Sequence, residues 1–215
     1  MTARRPLIVL TALLAVTGLI SGVMSLIPPK PVLIGGTAIA TTILNDPGSP
    51  SQAPKNADVT IVEFSDYQCG PCKEGEADFE RAVAKDGRVR VIYMDWAALG
   101  PRSKAAAEIA LAADRQGRYL AVHQALLRSR ERMSPGMLQR VATAAGVDWP
   151  RLAEDLRRDR TAIDAQLSRH AFEAWSLGLQ GPPGYVVGPF LVRGRLSEHA
   201  LKALIHEARL FHKSG

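Results

Sequence analysis

The chain has 215 residues, 47% of them hydrophobic, which is enough for one domain with a sizeable core plus additional segments. Its +6 charge is dispersed, with Arg157, Arg158 and Arg160 beside Glu154, Asp155 and Asp159, so it reads as a solvated face, and the lack of a basic patch interleaved with aromatics argues against a nucleic-acid partner. Two cysteines are too few for the disulfide framework of a small exported protein, so the pair reads as a tool and not a staple.

At the N-terminus, Arg4 and Arg5 precede Leu7 to Ile27, 21 residues without a charge. A helix of that length spans about 30 Å, the thickness of a bilayer core. Pro28, Pro29, Lys30 and Pro31 follow where a secretory signal would carry a small-residue cleavage site. Residues 1–30 are therefore expected to be an uncleaved signal anchor, with a cleaved signal peptide as the alternative. Positive charge stays inside, which puts the remainder in the periplasm or outside the cell, tethered to the inner membrane by residues 7–27. Val32 to Leu44 is apolar but only 13 residues long, too short to span; it is expected to lie on the membrane surface or to pack on the domain. Asn45 to Asn56, rich in Pro, Ser, Gly and Asn, reads as a tether between anchor and globule, so residues 31–57 are expected to be an apolar and Pro/Ser-rich tether.

Val59 to Cys72 (VTIVEFSDYQCGPC) organises the rest. Val59, Ile61, Val62 and Phe64 suit a strand buried on both faces. Gly70 and Pro71 separate two cysteines at the start of a helix, where proline is tolerated because its missing N–H is not needed. The helix dipole favours thiolate at Cys69, making it the expected nucleophile, and Cys72 is placed one turn on to attack a mixed disulfide made at Cys69. A zinc site would need two further ligands; there is no other cysteine and the five His are scattered, so no metal and no cofactor is expected. A purely structural disulfide would close a very small loop and stabilise little.

The cysteine helix is expected to end around Lys85 to Gly87, and Arg88 to Trp96 alternates as a second strand. Helical patterns follow over Ser103–Gln116, Tyr119–Arg130, Ser134–Ala145, a helix capped by Asp148, and Asp159–Leu177. Tyr185–Val187 and Phe190–Arg193 read as strands joined by Gly188 and Pro189, and Ser197 caps a last helix to about Leu210. The expected order is strand, helix, strand, a block of helices, a hairpin and a last helix, an α/β arrangement.

That order, with C-G-P-C after the first strand, resembles the DsbA-like branch of the thioredoxin fold, which implies thioredoxin parts at 58–100 and 181–215 around a helical domain inserted between the second and third strands at 101–180. The resemblance covers Asp58 to about Arg209 and rests on IVEFSDYQCGPCK, SKAAAEIALAADRQGRYLAVHQALL and GLQGPPGYVVGPFLVRG. It implies an enzyme, a thiol–disulfide oxidoreductase acting on protein thiols or disulfides outside the cytoplasm, with a membrane redox partner: a quinone-linked oxidase, or a transmembrane reductant. The family keeps a cis-proline loop facing the cysteines, matched here by Gly181-Pro182-Pro183-Gly184, so Pro183 is the corresponding residue, and Gly70, Pro71 and Pro182 would flank a bound substrate. Family members have Thr before that proline; Pro182 has no N–H to donate to a bound chain. The family also has an acidic residue near the buried cysteine. Glu63 shares strand parity with Val59 and Ile61, which points it into the core, where it could exchange a proton with Cys72; as a strand-end Glu it would instead reach solvent. His123, on an apolar helical face, reads as a packed, hydrogen-bonded core residue, and Trp96, Trp149 and Trp175 as core or interface. Gly70-Pro71 is the dipeptide of thioredoxin, a reductant near about −270 mV, against about −120 mV for DsbA. Oxidation is the first reading; a reductase or isomerase kept reduced by a membrane donor is second; a chaperone or metal-binding module without redox turnover is third.

Overall fold

A computed structural model describes residues 30–214. The apolar stretch Leu7–Ile27 lies outside them, and among the described residues no helix is long and apolar enough to cross a membrane. The described chain opens with β1 (Val32–Leu33), α1 (Ala38–Leu44) and β2 (Ser51–Gln52). β3 (Val59–Ser65), α2 (Gly70–Asp86) and β4 (Val89–Asp95) form the central crossover. Five helices follow: α3 (Pro101–Asp114), α4 (Tyr119–Arg128), α5 (Pro135–Ala144), α6 (Trp149–Arg158) and α7 (Arg160–Ser176). The chain then closes with β5 (Gly184–Val187), β6 (Phe190–Arg193) and α8 (Glu198–Ser214).

The sheet order is β1-β6-β5-β3-β4-β2. β3 lies parallel to β4 from Val59↔Val89 to Ser65↔Asp95, and antiparallel to β5, with Glu63 opposite Tyr185. A parallel pair needs a crossover helix, which α2 supplies, and Gly87 ends it in the left-handed region at φ +70°. Strand alternation builds a core on each face. Val59, Ile61, Val91, Tyr93, Tyr185 and Val187 join the core of α2, α8 and most of the helical block. Val62, Phe64, Ile92, Met94 and Val186 pack with Ile43 and the end of α7. The five-helix insertion thus separates the second and third strands of the central unit, as expected. Its α3 is buried from Ala106 to Ala113, and small side chains let it pack against α4, α5, α6 and α7. Ser134 and Asp148 cap α5 and α6, accepting the N–H groups of Met137 and Arg151.

Within residues 31–57, the apolar stretch Val32–Leu44 packs on the domain, one of its two expected placements, and the stretch after it, expected as a tether, is seated on the sheet as well. β1 pairs with β6 and β2 with β4, so the segment supplies both edges of the sheet. Ile43 on α1 is fully buried. Asp46 and Ser49, polar residues read as turn formers, are buried too: Ser49 bonds Asp46 and His170 Nε2, and Arg169 donates to Asp46 at 2.8 Å. Pro, Ser and Gly reported turn chemistry here, not mobility. Of the tryptophans, Trp96 is buried, Trp149 half-buried and Trp175 exposed, edge-on to Trp96.

Candidate active site

The site begins where β3 ends. Asp66 is buried; its Oδ1 accepts the Gln68 N–H and the Ser103 hydroxyl, both at 2.7 Å, and its Oδ2 accepts the Leu99 N–H at 3.0 Å. One carboxylate thus ties the turn before the cysteines to the start of α3. Cys69 is the N-cap of α2, with its Sγ 3.1 Å from the Cys72 N–H, and Pro71 lies in the first turn. The cysteines form a disulfide. Both are buried, while Gly70 and Pro71 between them are exposed.

The loop before β5 closes over this pair. The Pro182–Pro183 peptide bond is cis, and the Pro182 carbonyl oxygen lies 3.4 Å from Cys69 Sγ. Pro183 is buried, and its carbonyl accepts the Gly194 N–H at 2.8 Å. Cys69, Cys72, Pro182 and Pro183 are therefore brought together from sequence positions more than a hundred residues apart.

The core that holds the disulfide also holds Tyr67 and Tyr119, which belong to a buried set of ionisable groups. Glu63 points into the core, as its parity predicted, and not to solvent. Burial raises its pKa to about 8, and the Asp95 charge adds to the effect. Glu76, one turn beyond Cys72 on the same face of α2, is also buried and raised, by desolvation and by Glu63. His123 on α4 is fully buried and held neutral, with a pKa lowered to about 3 by burial. Tyr67 donates to Asp95 Oδ1 at 2.6 Å and contacts His123 Nδ1 at 2.9 Å; Tyr119 donates to Asp95 Oδ2 at 3.2 Å. Asp95 is itself raised, to about 7, by burial, opposed by the two tyrosine hydroxyls. His123 is packed and hydrogen-bonded, as expected from its apolar face. Glu76, Asp66, Asp95 and Tyr67 were not singled out in the sequence. The available signals were the four-residue spacing of Glu76 from Cys72 and the turn-forming character of Asp66.

A family model described as thioredoxin matches residues 46–207. The chain belongs to the thioredoxin family. Within that family the chain is DsbA-like. It is 32% identical to a thioredoxin-like oxidoreductase from Silicibacter pomeroyi, with a TM-score of 0.74 over 81% of this chain and 99% of that one. It is 25% identical to the thiol–disulfide exchange protein α-DsbA2 of Wolbachia pipientis, again at 0.74, over 78% and 90% of the two chains. A curated relative, the Na(+)/H(+) antiporter NhaA 3 of Salinispora tropica, is 27% identical over 159 residues, 73% of this chain. The thioredoxin-like chain spans about a quarter of the length of the curated relatives it matches.

Proposed function

We propose that the chain is an extracytoplasmic thiol–disulfide oxidoreductase that exchanges disulfides with protein substrates through Cys69 and Cys72. The observation that carries this reading is the setting of Cys69 Sγ. It lies at the N-terminus of a 17-residue helix, 3.1 Å from a backbone N–H and 3.4 Å from the proline-loop carbonyl. The N–H and the dipole stabilise a thiolate there, which makes Cys69 both the better nucleophile and the better leaving group.

In the oxidising direction a substrate thiolate attacks Cys69 Sγ, and the Cys69–Cys72 bond breaks. Cys72 leaves as a thiolate. Glu63, protonated at neutral pH because it is buried, supplies a proton to it. A second substrate thiolate then attacks the substrate sulfur of the mixed disulfide and releases Cys69 as a thiolate. The substrate has lost two electrons and the protein has gained them. A quinone-linked membrane partner reoxidises the pair. The reducing direction runs the same steps backwards, with Glu63 taking the proton. Gly70, Pro71 and Pro182 form the rim, and an extended substrate segment pairs along the loop that carries Pro183.

Gly70-Pro71 supports the second reading, a reductase or isomerase kept reduced by a transmembrane donor. Membrane attachment through residues 7–27 is supported by the uncharged length of that stretch. Insulin reduction with dithiothreitol tests the activity: Cys69→Ser should abolish turnover above the uncatalysed rate. Equal rates for wild type and variant would leave only a chaperone or binding role.

A further inference from the structure

We propose that Glu63, Glu76 and His123 form a buried binding site for a divalent cation of the zinc class. The three side chains are 2%, 3% and 0% exposed. Each presents one atom, Glu63 Oε2, Glu76 Oε2 and His123 Nε2, that has no hydrogen-bond partner among the described residues. A buried polar atom without a partner is costly, and in folded proteins such atoms are few. Here three converge. One ligand atom from each of the three residues lies within 4.8 Å of the other two, and His123 Nε2 is 3.8 Å from Glu63 Oε2.

The hydrogen-bond network orients the imidazole for coordination. Asp95 Oδ1 accepts the Tyr67 hydroxyl hydrogen bond at 2.6 Å, so the Tyr67 oxygen is left to accept from the His123 nitrogen 2.9 Å away, which is then Nδ1–H. Nε2 then carries a bare lone pair facing the two carboxyl groups. Histidines that bind metals commonly donate their other N–H to an acceptor in this way, and Tyr67 backed by Asp95 provides it.

The dimensions also fit. Three atoms no more than 4.8 Å apart lie about 2.8 Å or less from a common centre, against about 2.0–2.2 Å for zinc bonds to nitrogen and oxygen, so each ligand need move by about 0.8 Å at most. The ligands come from β3, α2 and α4, three elements of one packed core, so little ordering remains to be done on binding. Two carboxylate oxygens and an imidazole nitrogen suit Zn²⁺ and its transition-metal neighbours; Ca²⁺ and Mg²⁺ prefer oxygen alone. On the proposed exchange mechanism, a bound cation would occupy the carboxylate that serves Cys72.

The test measures binding and not turnover, so it stands or falls separately from the exchange reaction. The oxidised full-length chain, whose sulfurs are locked in the disulfide, is dialysed against Zn²⁺, with Co²⁺ absorption as a second readout. One ion per chain is expected. Glu76→Gln and His123→Gln should each weaken affinity at least tenfold, while His199→Gln, at an exposed position on α8, should leave it unchanged. If His123→Gln unfolds by circular dichroism, the isosteric Glu76→Gln decides alone. An oxidised chain that holds no stoichiometric metal overturns the proposal; the three atoms would then share a buried water. Binding that survives Glu76→Gln and vanishes in His199→Gln overturns it as well, because it marks a surface site.

Discussion

Glu63, Glu76 and Asp95 owe their raised pKa values chiefly to burial, which disfavours the ionised form. A carboxyl raised by folding binds its proton more tightly folded than unfolded. Its stability contribution is therefore complete below the unfolded pKa and is lost as pH rises through the folded one. For Glu63 that window runs from 4.5 to about 8. His123 has the opposite sign, with stability lost as pH falls from 6.5 towards about 3. Glu63→Gln cannot ionise, so it should flatten the decline in stability between about pH 5 and about pH 8, by up to about 1.4 kcal/mol per pH unit. Urea unfolding of the oxidised protein across that range checks it; parallel pH profiles for wild type and variant would mean that Glu63 titrates normally. Pro182 has no N–H to offer a substrate backbone, so Pro182→Thr should tighten a trapped mixed-disulfide peptide complex, read as slower peptide release; unchanged release would show that this position makes no backbone contact. The cysteines were legible in sequence because their chemistry depends on neighbours three residues apart. Glu76 was not, because α2 carries Glu74, Glu76 and Glu80, and only packing decides that the second is buried and the first exposed.

Elements with strong local signals formed where the sequence pattern put them. Ser134, Asp148 and Ser197 each accept an N–H from the first turn of the helix that follows. The sheet pairing of the segment before β3 was not legible because two-residue strands carry no usable period, and because Asp46 and Ser49 find their partners on α7, more than a hundred residues on. The difference is measurable. Ile43 is fully buried against Val62, Phe64, Ile92, Met94 and Trp96, so Ile43→Ala should cost about 2–5 kcal/mol in urea unfolding. In a free tether the same substitution would cost nothing.

Across the whole molecule, redox direction is a matter of relative stability. Each shift of about 30 mV towards oxidising potential favours the reduced fold over the oxidised one by about 1.4 kcal/mol. The oxidising reading expects a Cys69–Cys72 potential above the value of about −270 mV for thioredoxin, short of the value of about −120 mV for DsbA because of Gly70-Pro71, with the reduced protein melting higher than the oxidised. Equilibration in glutathione buffers and paired thermal melts measure both. A potential at or below thioredoxin's, with the oxidised form melting higher, would assign the chain to delivering electrons.

The order of elements, the redox pair and the inward face of Glu63 were readable from local spacing, caps and strand parity, because each depends on residues a few positions apart, and the fold class followed from the family resemblance that this order and C-G-P-C carry. The juxtaposition of Cys69 with Pro182, the seating of residues 31–57 on both sheet edges, and the meeting of Glu63, Glu76 and His123 were not. Glu76 and His123 lie thirteen and sixty positions after Glu63 on separate elements, so no spacing rule connects them. Only when β3, α2 and α4 pack into one core do their unpaired atoms face each other, because burial removes the water that would otherwise satisfy each of them alone.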